Sequence, residues 1–170
     1  MLKAVFPGTF DPITVGHLDV LRRALKIFDR ITIAIFENIQ KKPLFPLEDR
    51  LAFISKSTQV FRTKVSVETF EGLLSEYCKK NQIRFVIKGL RALSDYEYET
   101  KMALINREIN PDLETIFLVS PPEMATISSS VVRELLYFNG DISRYVPEKA
   151  LQPIIAAYKK LQSGKLRNNN

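Results

Sequence analysis

Residues 2–17 read LKAVFPGTFDPITVGH: an apolar run closed by a proline, then an irregular stretch holding two prolines, two glycines and the chain's only histidine. The run 2–6 predicts a short strand, and Leu18, Leu21, Ala24, Leu25 and Phe28 follow at helical spacing, which places the helix start near Gly16. The question is whether PGTFDPITVGH merely turns the chain or builds a site for an anion. Its position between a strand and a helix decides how the rest of the sequence is read.

Working outward, strand and helix patterns alternate. RITIAIF (30–36) is β-branched and apolar, and PLEDRLAFISKST (46–58) predicts a helix opened by Pro46 with acids in its first turn. KVSVETF (64–70) alternates with period two, and Leu73, Leu74, Tyr77 and Cys78 mark another helix. RFVIKG (84–89) is a fourth strand, followed by a helix over about 95–109. ETIFLV (114–119) is a fifth strand and SSSVVRELLYF (128–138) a helix; VPEKALQPIIAAYKKL predicts a terminal helix interrupted or kinked near Pro153. Parallel neighbours need crossover connections, so this alternation implies an α/β fold. We expect a single-domain, Rossmann-like doubly wound sheet of five mostly parallel strands with helices on both faces. Residues 1–160 form the domain, and 161–170 are a basic, disordered tail. Ligands of such sheets bind beyond the carboxyl ends of the strands, so the loops 7–17, 36–46, 69–73, 88–94 and 119–128 are the ones to inspect.

A chain of 170 residues with 45% hydrophobic and 26% charged residues can bury a proper core. No apolar run reaches the length needed to cross a bilayer, and Lys3 and Pro7 interrupt the amino-terminal segment, so the sequence reads as that of a cytoplasmic protein. The lone Cys78 rules out an intrachain disulfide and reads as a packed core thiol. A net charge of +6 fits either a nucleic-acid binder or a cleft for polyanionic small molecules. The basic residues are scattered and the aromatics fall at core spacing, which disfavours nucleic acid.

The six glycines, Gly8, Gly16, Gly72, Gly89, Gly140 and Gly164, are too far apart for a dinucleotide fingerprint or a P-loop. Nor does any His/Cys cluster have zinc spacing. A nucleotide would have to be held by another device. At the opening stretch, Gly8 and Thr9 end the first strand, Gly16 admits a ligand to the amides of a helix start, and His17 falls in the first turn. Free amides, a hydroxyl and an imidazole suit a phosphoryl group; an irregular turn with an incidental histidine fits the residues equally well.

TVGH (14–17) resembles the T/H-x-G-H signature of the nucleotidyltransferase superfamily. ISSSVVR (127–133) is similar to its second signature, a serine-rich helix start followed by a basic residue. The wider strings FPGTFDPITVGH (6–17), KGLRALSDYEYE (88–99) and ISSSVVRE (127–134) resemble the phosphopantetheine adenylyltransferase family over essentially residues 3–160.

That resemblance implies transfer of the adenylyl group of ATP to 4′-phosphopantetheine, giving dephospho-CoA and pyrophosphate, with Mg2+ accompanying ATP. The acceptor phosphate attacks the α-phosphorus in line, without a covalent intermediate, so positioning and charge neutralisation carry catalysis. Matching motif positions assigns His17, Thr9, Lys41 and Arg91 to the reacting centre, although Lys42 stands beside Lys41 and the sequence does not say which points inward. ATP would meet Gly8, Thr9, Phe10, His17, Gly89 and Arg91, with Glu99 on the following helix. Ser129 and Arg133 would touch its β- and γ-phosphates, with Ile127, Ser128 and Ser130 completing the ATP site, although one or two of the three serines serve as helix caps alone. Thr9, Lys41 and Lys88 would face the acceptor phosphate, and Leu73, Leu74, Met102 and Asn106 the pantetheine arm. No residues are expected to ligate a metal. The family's habits add a homohexamer and feedback by coenzyme A, with neither nucleic acid nor membrane as partner.

Three positions depart from the pattern. Lys88 stands where many relatives carry arginine, Val15 replaces a common asparagine, and EMAT (123–126) lacks an aromatic often found there. The rivals are another small nucleotidyltransferase, of the nicotinamide-mononucleotide adenylyltransferase or glycerol-phosphate cytidylyltransferase type, and a basic nucleic-acid-binding module. KGLRALSDYEYE discriminates against the first, and the lack of clustered arginines against the second.

Overall fold

The computed structural model describes residues 1–36 and 42–167. Five strands form one sheet: β1 (Lys3–Gly8), β2 (Arg30–Phe36), β3 (Val65–Phe70), β4 (Phe85–Leu90) and β5 (Glu114–Val119). Their order is β3-β2-β1-β4-β5, and every pairing is parallel. Helices α1 (Val15–Ala24), α2 (Leu47–Thr58), α3 (Leu74–Lys80), α4 (Leu93–Ile109), α5 (Ser129–Tyr137) and α6 (Glu148–Arg167) occupy the connections and the end of the chain.

Alternation along the strands builds two cores. Ala4 and Phe6 of β1, with Ile31, Ile33, Ile35 and Ile87, face residues of α1, α2, α5 and α6. Val5, Ala34 and Val86 point the other way, against Phe70, Cys78, Ile83 and Leu113. Cys78 is buried, and burial pushes its thiol up to about 12, so it is the inert core residue its helical spacing suggests. No described helix is long and apolar enough to cross a membrane.

Several boundaries differ from the sequence reading: β1, expected over 2–6 and closed by Pro7, runs through that proline to Gly8. Helix α1 stops at Ala24, so Phe28 packs from outside it, against Phe85 with ring centroids 5.5 Å apart. Helix α4 begins at Leu93, two residues early. Helix α6, expected to be interrupted or kinked near Pro153, is not interrupted there, and it runs to Arg167, past the domain end expected at residue 160. Proline here removes one main-chain donor near the start of a 20-residue helix that packs on α2, and the packing outweighs the loss.

Strand β1 lies between β2 and β4, so strand order reverses at its carboxyl end. Val5 pairs with Val86, which brings Gly8 and Gly89 to the same level at that edge. Gly89 is needed there: a Cβ would stand 2.8 Å from Val20 Cγ2 of α1. The glycine lets α1 close tightly over the sheet and fixes where the helix's amino terminus sits.

Candidate active site

A cavity of about 640 Å³ opens at this switch point. Gly8, Thr9 and Phe10 border it from the end of β1, and Thr14, Gly16 and His17 from the start of α1. Lys88, Gly89 and Arg91 border it from β4, Glu99, Met102 and Asn106 from α4, and Leu73 and Leu74 from the start of α3. It lies where the parallel sheet predicts a ligand site.

His17 is positioned by a capping box. Thr14 caps α1, its Oγ1 accepting from the His17 main-chain N–H at 3.3 Å, while the Thr14 N–H donates to His17 Nδ1 at 3.0 Å. Thr14 Oγ1 also lies 2.9 Å from Nδ1. A ring nitrogen that accepts carries no proton, so the imidazole is the neutral Nε2–H tautomer. Burial first, and then the neighbouring Arg91 guanidinium, lower its pKa from 6.5 to about 4. His17 is thus a neutral hydrogen-bond donor on the cavity wall.

The main chain supplies further donors. Among the described residues nothing accepts from Gly16 N–H, whereas its neighbour Val15 N–H is taken by Tyr145 O at 2.9 Å. Gly16 has room for a Cβ, which would meet Thr14 Oγ1 at 3.6 Å and Ile127 Cγ2 at 3.7 Å. The protein around Gly16 therefore does not itself demand glycine. Phe10 adopts φ +46°, a left-handed conformation that costs a non-glycine residue on the order of 1 kcal/mol or more, and its ring stacks edge-on to His17 at 4.9 Å.

Cations surround the mouth. Arg91 is locked in place: Nε and Nη2 donate to Asp95 at 3.1 and 3.3 Å, and Nη1 donates to Ile127 O at 3.1 Å. Lys88 pairs with Glu99 at 3.1 Å across the cavity. Helix α5 stands beside it, capped by Ser128, whose Oγ accepts from Val131 N–H at 3.1 Å. The Ser129 hydroxyl donates to Pro12 O at 2.8 Å, and Arg133 donates to Asp11 O at 2.7 Å and to Ser130 Oγ at 3.2 Å. These bonds tie α5 to the 9–12 turn.

Of the residues singled out in the sequence, Gly8, Thr9, Phe10, His17, Leu73, Leu74, Lys88, Gly89, Arg91, Glu99, Met102, Asn106 and Ile127 border one cavity. Ser128, Ser129, Ser130 and Arg133 stand outside its lining. Lys41 lies outside the described residues. The sequence reading missed Thr14, whose cap sets the histidine tautomer, and Asp11, which is 4% exposed and accepts from Leu44 and Phe45 N–H at 2.8 and 2.9 Å. It also missed Arg50, 2% exposed on α2. The four-residue spacing of a capping box was the available signal for Thr14; for Arg50, a long-range contact, there was none.

Among the described residues no group of three His, Cys, Asp or Glu side chains could hold a metal ion. The carboxylate on the cavity wall, Glu99, is paired with Lys88.

The fold and the cavity at its switch point belong to a class that sequence comparison names: the cytidylyltransferase-like family profile matches residues 5–135. Solved structures agree on the fold. A Vibrio parahaemolyticus protein assigned as a nicotinate-nucleotide adenylyltransferase superposes with a TM-score of 0.70 at 18% identity, covering 94% of this chain and 97% of that one. A bifunctional NMN adenylyltransferase/ADP ribose pyrophosphatase from Francisella tularensis gives 0.69 at 18%, this chain spanning 51% of its length. Sequence relatives are more specific. A phosphopantetheine adenylyltransferase from Dictyoglomus thermophilum is 47% identical over 148 residues, 87% of this chain and 90% of its own. One from Alkaliphilus metalliredigens is 43% identical over 152 residues, 89% and 96% respectively. The chain belongs to the phosphopantetheine adenylyltransferase family.

Proposed function

We propose that the protein transfers the adenylyl group of ATP to the phosphate of 4′-phosphopantetheine, releasing pyrophosphate and forming dephospho-CoA. The observation that carries this reading is that one cavity wall brings together a neutral Nε2–H donor, two cations, Lys88 and Arg91, the apolar Leu73, Leu74 and Met102, and the polar Asn106. Such a lining fits a phosphorylated acceptor with a long, weakly polar tail.

An oxygen of the acceptor phosphate forms a bond to the α-phosphorus while the α–β bridging bond breaks, its electron pair leaving with pyrophosphate. Charge grows on the non-bridging α-oxygens. His17 Nε2–H donates to them without losing its proton, and Arg91 neutralises charge from a fixed position. Gly16 N–H, at the start of α1, donates to a phosphate oxygen. Lys88, and by family resemblance Lys41, face the acceptor phosphate. Direct transfer needs no activated nucleophile from the protein, since the acceptor phosphate is already nucleophilic.

Magnesium, when bound, would screen the triphosphate. Among the described residues the wall carries one carboxylate, Glu99, and it is paired with Lys88, which fits an ion held by the nucleotide's own oxygens and water rather than by a protein cage. Coenzyme A, sharing the pantetheine arm with the product, would compete at the same cavity. Exposed Leu93, Leu104 and Val119 fit burial in a homohexamer. We place the reaction in the cytoplasm.

Pyrophosphate release from MgATP, compared with 4′-phosphopantetheine, nicotinamide mononucleotide and no acceptor, tests the reading. Release with phosphopantetheine alone supports it. Release with the nicotinamide acceptor keeps the class and overturns the substrate. No release from folded protein overturns both.

A further inference from the structure

The guanidinium of Arg50 is among the most enclosed side chains of the molecule, at 2% exposure, and it does not border the cavity. Nε donates to Phe45 O at 3.1 Å and Nη1 to Thr9 O at 3.0 Å, 41 residues away in sequence. Desolvating a guanidinium to hold two main-chain carbonyls is costly, and neutral residues could hold a turn at lower cost. The charge is therefore more than is needed to tie the loop.

The second bond fixes a peptide plane at the reacting centre. The Thr9–Phe10 peptide is trans, so its C=O and N–H point in opposite directions. The C=O is held towards Arg50, so the Phe10 N–H points away from Arg50, and Thr9 and Phe10 both border the cavity. Among the described residues no group accepts from it. Phe10 holds φ +46°, a conformation that persists only where surroundings enforce it. Arg50 supplies that enforcement on one side and the edge contact with the Phe6 ring, at 5.4 Å, on the other.

We propose that Arg50 is a positioning residue: by gripping Thr9 O, it aims the Phe10 N–H at the phosphoryl oxygens of the reacting nucleotide. It also polarises that peptide, since a cation at the C=O strengthens the N–H as a donor. The inference rests on the adenylyl-transfer reading, and Arg50 itself touches no substrate.

Arg50→Met keeps length and removes both bonds; Arg50→Lys keeps the charge and one donor. In folded Arg50→Met, kcat falls about 10²-fold, the scale of one lost oxyanion donor, while both KM values move less than about threefold. Arg50→Lys recovers at least about tenfold of that loss. In 15N-labelled protein, pyrophosphate shifts the Phe10 amide proton downfield, and Arg50→Met abolishes the shift. A folded Arg50→Met with kcat within about threefold of the unsubstituted protein, or with an undiminished Phe10 response, overturns the proposal. Should Arg50→Met not fold, Arg50→Lys decides: a kcat at least threefold down with a weakened Phe10 response supports it, and values matching the unsubstituted protein overturn it. Failure of the adenylyl-transfer reading is seen separately, as no acceptor-dependent release by the unsubstituted protein, and the Phe10 response to pyrophosphate still tests Arg50.

Discussion

His17 should stay neutral well below the pH at which an ordinary imidazole charges. Its Nδ1 accepts from the buried Thr14 N–H, a bond that protonation would abolish, and burial and Arg91 both penalise the cation. A fall from 6.5 to about 4 corresponds to about 3 kcal/mol, an upper figure because the ring borders the cavity. The sign is fixed by the folded state binding the proton less well than the unfolded chain. This contribution to stability is complete above pH 6.5 and is lost as pH falls from 6.5 towards 4. The chain has one histidine, so 15N-detected NMR reads its ring nitrogens without assignment. At pH 5.5 an ordinary imidazole is about nine-tenths protonated. Here the spectrum should show a bare Nδ1 and a protonated Nε2. A ring that is cationic at pH 5.5, or a midpoint at 6 or above in the ligand-free protein, refutes the argument that His17 acts as a neutral donor.

Three further outcomes follow from named contacts. Gly16→Ala should hold or raise Tm, by up to about 1 kcal/mol of helix stabilisation, yet lower kcat/KM more than about tenfold, because the methyl group takes ligand space; thermal melting with steady-state kinetics checks both. Gly89→Ala should cost about 1–3 kcal/mol by driving a Cβ against Val20 Cγ2, 2.8 Å away, and adding Val20→Ala should recover most of the loss in urea unfolding. Asp11→Ala should cost about 3 kcal/mol or more by orphaning the Leu44 and Phe45 amides, measured as a lower urea midpoint with an unchanged m-value.

The sheet was legible because each strand is a β-branched or alternating run and each helix an apolar stripe, signals local to a few turns. RITIAIF and ETIFLV match β2 and β5 residue for residue. Chain ends and helix termini were less legible. Pro153 weakens a helix locally, but contact with α2 decides the outcome, and that contact joins segments about 100 residues apart. The same division holds at the site. Glycine spacing and the Gly-His pair lie within one stretch, and the residues carried over by resemblance largely meet in one cavity. Ser129 and Arg133 show where motif reading stops: their side chains donate to Pro12 and Asp11 carbonyls, a role visible only once α5 is packed against the 9–12 turn. Arg50 draws no reading within PLEDRLAF, since nothing local distinguishes a solvated arginine from one buried beneath Thr9.

The central claim is that the stretch opening at Pro7 is a phosphoryl-transfer site run by a neutral histidine, and turnover of His17→Ala tests it most directly. With MgATP and 4′-phosphopantetheine, at matched concentrations of folded protein confirmed by circular dichroism, the account predicts kcat reduced about 10²–10³-fold. A folded variant that turns over at the rate of the unsubstituted protein would contradict it.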